Sequence, residues 1–166
     1  MIRQASLVFG LVAPCVAIAT GCHQPAHTSP AAIVPDSLKG IVSITGTSFE
    51  QRLVLRSGNS VASLSAVTPE SIALARVGGV EVLVIGRATP TVFEVDHFTA
   101  LSVAGSPVVD GILRNDDGRL VLETAGSRLP LGNPPTALRG MVGARVWIGG
   151  PLDKGPNSYG VIAPPR

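Results

Sequence analysis

The chain has 166 residues, 45% of them apolar and 14% charged, with thirteen basic and eleven acidic side chains and a formal charge of +2. That balance leaves no electrostatic footprint for nucleic acid or an anionic surface, and four Phe, one Trp and one Tyr are too few for an aromatic stacking platform. Two cysteines provide no disulfide framework, because Cys15 falls in a segment expected to be removed.

That segment comes first. Met1-Ile2-Arg3 supplies a positive charge, and Leu7 to Ala19 follows without a charged residue. Small residues Ala19-Thr20-Gly21 then lead to Cys22. Charged start, apolar core and small-residue exit form the pattern of a secretory signal over residues 1–21, shorter than the roughly 20 apolar residues of a membrane span. Cys22 has two readings. An ordinary cut near Ala19 or Gly21 leaves it as a lone thiol, which is unfavourable in an oxidising compartment. The stretch Ala19-Thr20-Gly21-Cys22 also resembles a bacterial lipobox, departing from it at Ala19, where leucine is commonest. The resemblance implies acylation of Cys22 and a partner in the lipid bilayer. Because His23 and not aspartate follows, it also implies sorting to the outer membrane, facing the periplasm. More than one acyl chain gives stable anchoring.

Residues 22–36 contain HQPAHTSPAAIVPD and read as a Pro-rich tether. His23 and His27 are four apart, but Pro25 between them argues against a helical metal site. From Leu38 onward the pattern is β. Gly40 to Gly46 alternates, and Arg52 to Arg56 leads into the turn Ser57-Gly58-Asn59. Ser60 to Val67 alternates again. Thr68-Pro69-Glu70 has the chemistry of a helix start, with Ile72, Leu74 and Val77 expected inward and Gly78-Gly79 as the stop. Val80 to Ile85 forms a strand ended by Gly86. Thr91 to Val103 is a long extended run whose alternation slips between Val95 and Phe98, the mark of a bulge. Gly105-Ser106-Pro107 is the expected boundary.

The order then restarts. Asp110-Gly111-Ile112-Leu113 answers Lys39-Gly40-Ile41-Val42, and Arg119-Leu120-Val121-Leu122 repeats Arg52-Leu53-Val54-Leu55 residue for residue. Asn115-Asp116-Asp117-Gly118 makes a tight turn, and Arg128 to Leu131 a short strand. A second short helix follows, with Leu138 and Met141 inward and Gly143 as its stop. Ala144 to Ile148 and Ser158 to Ile162 are strands. Residues 73–86 align without a gap on 137–150, with identity at Ala73/Ala137, Leu74/Leu138, Gly79/Gly143, Val82/Val146 and Gly86/Gly150. The offset shrinks from 71 to 67 to 64 along the chain, so loops shortened while elements stayed.

Each copy thus reads strand, strand, strand, short helix, strand, strand. That order resembles an OB-like barrel, a five-stranded Greek-key barrel. It also resembles small β-barrel domains of uncharacterised function in bacterial exported proteins, on Asp110-Gly111-Ile112-Leu113 and the closing strand Gly143 to Gly149; copy one departs at Lys39. The expected fold is mainly β: two tandem OB-like five-stranded small barrels, residues 37–105 and 106–166, each with one short helix. Copies of this size sit near the lower limit for an independent core, so the two are expected to pack together.

Chemistry-bearing groups are sparse. His97 beside Asp96 is the one histidine beyond the tether, and no G-x-S-x-G elbow is present. Glu94, Asp96 and Asp110 show no acid–base spacing. Asn115 to Gly118 lacks the distal glutamate of a calcium loop, and the glycine pairs lack a phosphate-loop lysine. No enzyme, cofactor or metal site is expected. Eleven of the thirteen basic residues are arginine, which suits bidentate recognition of carboxylate or phosphate. The expectation is a non-catalytic binding or scaffolding part with an envelope protein partner and no nucleic acid. The alternative is a site for a small anionic or saccharide ligand at Arg128, Arg145 and Trp147, with Arg145 and Trp147 read as facing opposite sides of one strand.

Overall fold

A computed structural model describes residues 36–65 and 67–165. The signal segment, Cys22 and the tether up to residue 35 lie outside the described residues. Ten strands and two short helices follow in order: β1 (Asp36–Thr45), β2 (Arg52–Ser57), β3 (Ser60–Leu64), α1 (Pro69–Ala75), β4 (Val80–Ala88), β5 (Phe93–Val103), β6 (Ser106–Asp116), β7 (Arg119–Glu123), β8 (Arg128–Pro130), α2 (Thr136–Arg139), β9 (Arg145–Gly149) and β10 (Ser158–Ala163). The protein is mainly β, as the period-two alternation predicts.

The first five strands form a ring. β1 pairs antiparallel with β2, β2 with β3, β4 with β1 and β5 with β4. A parallel contact at Leu64 and Phe93 closes it, with Ser65 N–H donating to Phe93 O at 2.9 Å. β1 serves two neighbours because it is long: its first half pairs with β4 and its second half with β2. The changeover falls near Gly40, where β2 backbone crosses so closely that a Cβ would collide with the carbonyl oxygen of Arg56. At the matching Gly111, a Cβ would stand 2.6 Å from the carbonyl oxygen of Glu123.

The second copy repeats this plan up to the last step. β6 pairs with β9 through its first half and with β7 through its second, β7 pairs with β8, and β9 with β10. Gly79 N–H donates to Val42 O in copy one and Gly143 N–H to Leu113 O in copy two, both at 2.8 Å. Both glycines have positive φ, at 83° and 91°, which fits them to end the helical turn. No β8–β10 pair forms among the described residues. Instead Gly132 N–H donates to Leu152 O at 2.7 Å, at the place where Ser65 meets Phe93 in copy one. A loop residue holds the position that a strand holds in the ring. The two closed barrels expected from sequence thus appear as one ring of five strands and one five-stranded set without strand closure.

Several expectations change in detail. β1 begins at Asp36, whose carboxylate accepts from Ala88 N–H at 3.2 Å, so that residue belongs to the sheet and not the tether. Ile72 is 50% exposed, while Ser71, Ala73 and Leu74 are buried. Two residues along a helix is about 200°, so Leu74 inward puts Ile72 outward. Gly86 lies inside β4 and does not end it. The boundary at Gly105 is a two-residue hairpin turn, with Ala104 and Gly105 both at positive φ (48° and 79°) between paired Val103 and Ser106. The bulge lies where it was expected: β4 registers Ile85 with His97 but Gly86 with Val95, which leaves Asp96 as the extra residue.

Two apolar clusters form the core. The first gathers Val42, Leu55, Leu74, Val82, Val84 and Phe98 from the ring. It also contains Ile162 of β10, fully buried there. The second gathers Leu113, Leu122, Leu138, Val146 and Ile148. The last strand therefore pairs in one copy and fills the core of the other.

Candidate functional site

β5 and β6 are joined by the tight turn but pair only at Ser102–Pro107 and Val103–Ser106. Beyond those pairs they diverge, leaving one edge of β5 without a strand neighbour from Glu94 to Leu101. An unpaired edge carries free backbone donors and acceptors. Side chains supply their partners. Thr68 Oγ1 donates to Val95 O at 3.3 Å, Ala100 N–H donates to Asp110 Oδ2 at 3.0 Å, and Arg145 Nη2 donates to Phe98 O.

Arg145 is the centre of this arrangement. Pairing of β6 with β9 sets Arg145 opposite Ile112 and Asp110 opposite Trp147, so Asp110 and Arg145 are diagonal neighbours on one face. The guanidinium grips Asp110 with two hydrogen bonds, Nε to Oδ1 at 2.9 Å and Nη2 to Oδ2 at 2.8 Å. Its Nη1 donates to Glu70 Oε1, and its Cζ stands 4.4 Å from the Phe98 ring centroid. The side chains of Arg145 and Asp110 are only 16% and 5% exposed. Burial works against the charge of Arg145, and the Asp110 carboxylate, with Glu70 behind it, outweighs burial and holds the guanidinium pKa above its ordinary value.

Glu70 is delivered by the start of α1. Ser71 N–H donates to Thr68 Oγ1 at 3.1 Å and Thr68 N–H to Ser71 Oγ at 3.0 Å, a reciprocal cap that fixes the first turn. His97 Nδ1 lies 3.2 Å from the same Glu70 oxygen. The cluster thus ties α1 and β5 of copy one to β6 and β9 of copy two.

The aligned positions in copy one carry the opposite polarity. Lys39 stands where Asp110 does and Glu81 where Arg145 does, and they pair at 3.3 Å in the open. A hydrogen bond from Ser102, then Lys39, lowers the Glu81 pKa below its ordinary 4.5. The pair is duplicated with its charges reversed, and the copy-two version is turned inward.

Two clefts flank the Arg145–Glu70 contact. One, of about 550 Å³, runs between α1 and β6, with Ile72, Arg76, Ile112, Arg114 and Pro164 on its walls. The other, of about 730 Å³, lies between the diverging β5 and β6 under the turn Thr124 to Ser127.

The three residues expected to bind a ligand do not converge. Arg145 is engaged as described. Trp147 packs against the first core and lies across Gly160, its partner on β10. Arg145 and Trp147 are two apart, and Val146 and Ile148 between and beyond them are buried in the second core, so the pair shares the outer face; the expectation of opposite sides is corrected by strand alternation. Arg128 is exposed and pairs with Glu123 at 3.4 Å. Arg114 Nε holds the other Glu123 oxygen at 2.7 Å and, as the largest influence, lowers the Glu123 pKa. Glu94 pairs loosely with Arg87 at 3.9 Å, well separated in role from Asp110. Asn115 Oδ1 accepts from Gly118 N–H at 2.9 Å, a hairpin-turn contact. Among the described residues no group of three or more His, Cys, Asp or Glu is placed to hold a metal. Cys22 lies outside the described residues.

Sequence reasoning missed the joint formed by Asp110, Arg145 and Glu70. The reversed charges at Lys39/Asp110 and Glu81/Arg145 were its available signal. No protein family, curated protein or solved structure matches the chain.

Proposed function

We propose that the chain is an envelope-anchored lipoprotein whose folded part is a non-catalytic binding or scaffolding unit of two OB-like modules. Cys22, with small residues before it and a Pro-rich tether after it, supports the anchor. The observation that carries the non-catalytic reading is the engagement of Arg145: its guanidinium is taken up by Asp110 within copy two and by Glu70 and the Phe98 carbonyl of copy one, so it serves the joint between the copies and a strand edge. The bilayer is the first partner in this reading, and an envelope protein the second. Cys22→Ser should move the protein from the membrane to the soluble fraction and remove the acyl mass from its mature N-terminus. Unchanged fractionation would refute the anchor.

The second reading, an exported module for a small anionic or saccharide ligand, is favoured by the cleft between α1 and β6. Its walls carry arginines whose charge is not fully taken up by the chain.

A further inference from the structure

The cleft between α1 and β6 combines apolar walls with guanidinium groups. Ile72, half exposed on the outer face of α1, faces the same space as Ile112 of β6 and Pro164 of the C-terminal segment. Arg76, the C-cap of α1, and Arg114 of β6 line it as well. Arg76 has no carboxylate within ion-pair distance among the described residues. Arg114 contacts Glu123 through Nε alone, which leaves its terminal nitrogens as donors. Glu70 is the acidic side chain on these walls, and Arg145 already holds it. A volume of about 550 Å³ is within the usual range of small-molecule sites, roughly 300–1,000 Å³.

We propose that this cleft binds an amphiphilic carboxylate, its carboxylate taken by the Arg76 and Arg114 guanidinium groups and its apolar stem laid along Ile72, Ile112 and Pro164. Guanidinium offers a planar fork that matches a carboxylate. The stem covers apolar surface that water otherwise wets. The inference rests on the binding-module reading and names the site and ligand chemistry for it.

The test is a titration of the full chain with octanoate, kept below its micelle threshold, followed by isoleucine methyl and arginine Nε–H resonances. Acetate, which lacks the stem, and octanol, which lacks the charge, serve as separate arms. Octanoate should shift the Ile72 and Ile112 methyls and the Arg76 and Arg114 Nε–H signals along one saturating curve. Arg76→Gln and Arg114→Gln should each weaken that curve about tenfold, the usual loss for one charged hydrogen-bond partner. Acetate and octanol should each bind much more weakly than octanoate. The proposal is overturned if octanoate leaves these four residues unshifted, if the two substitutions combined in one chain bind octanoate as the parent does, or if octanol matches octanoate. Retained amide dispersion in the variants separates lost binding from lost fold. Absence of octanoate binding removes this site and leaves the Cys22 anchor standing, because fractionation reads the anchor alone.

Discussion

The polarity of the Asp110–Arg145 pair is fixed by what each member does for the edge of β5. Ala100 N–H needs an acceptor and Phe98 O needs a donor, and Asp110 and Arg145 meet those needs. Lys39 and Glu81 form the reversed pair at the aligned positions, where they have no such duty. Arg145→Met leaves a carboxylate only 5% exposed without its partner, and removal of one member of a buried pair costs about 3–5 kcal/mol. A charge swap, Asp110→Lys with Arg145→Glu, restores attraction yet offers a donor to a donor and an acceptor to an acceptor. It should therefore be no more stable than Arg145→Met in urea unfolding. A swapped protein as stable as the parent would show that the hydrogen bonds to Ala100 and Phe98 contribute nothing to stability.

Among the elements, the β5–β6 hairpin has one residue out of keeping with its backbone. Ala104 has φ 48° and Gly105 φ 79°, the two positive angles of a tight hairpin turn. The left-handed region costs an alanine about 1–2 kcal/mol, partly offset by the greater unfolded freedom of glycine. Ala104→Gly should raise stability by about 0.5–1 kcal/mol by denaturant midpoint, and a lower midpoint would mean that the methyl has a packing partner. The strands themselves were legible in the sequence because alternation marks them: Arg52 to Leu55 and Arg119 to Leu122 are strands in matching places, and the slip after Val95 is the bulge at Asp96. Ile72 was misjudged because a seven-residue helix gives too few turns to define its inner face from apolar spacing. The meeting of Arg145 with Phe98 and Glu70 was hidden for another reason. Composition shows that Arg145 is a cation, but only the divergence of β5 from β6 creates the edge it serves.

At the scale of the whole molecule, the two copies depend on each other through Ile162 as well as Arg145. A chain reduced to residues 106–166 would expose Ile162, which is buried in the first core, and would leave Asp110 without Ala100 and Arg145 without Glu70 and Phe98. A unit of that length is already near the limit for a self-sufficient core. Such a fragment should show collapsed amide dispersion, whereas sharp, dispersed resonances would establish it as self-sufficient. The loop that carries Leu152 adds a consequence of its own. With Leu152 meeting Gly132, β10 has no closing pair to make at β8, and its far end reaches the first core. A chain is made from its N-terminus onward, and domains ordinarily fold in that order as they emerge. Here the first core receives one of its fully buried members, Ile162, from the last strand of the second copy. Until that strand is made, the ring lacks that side chain, so the leading copy completes its packing only after the trailing one has reached β10.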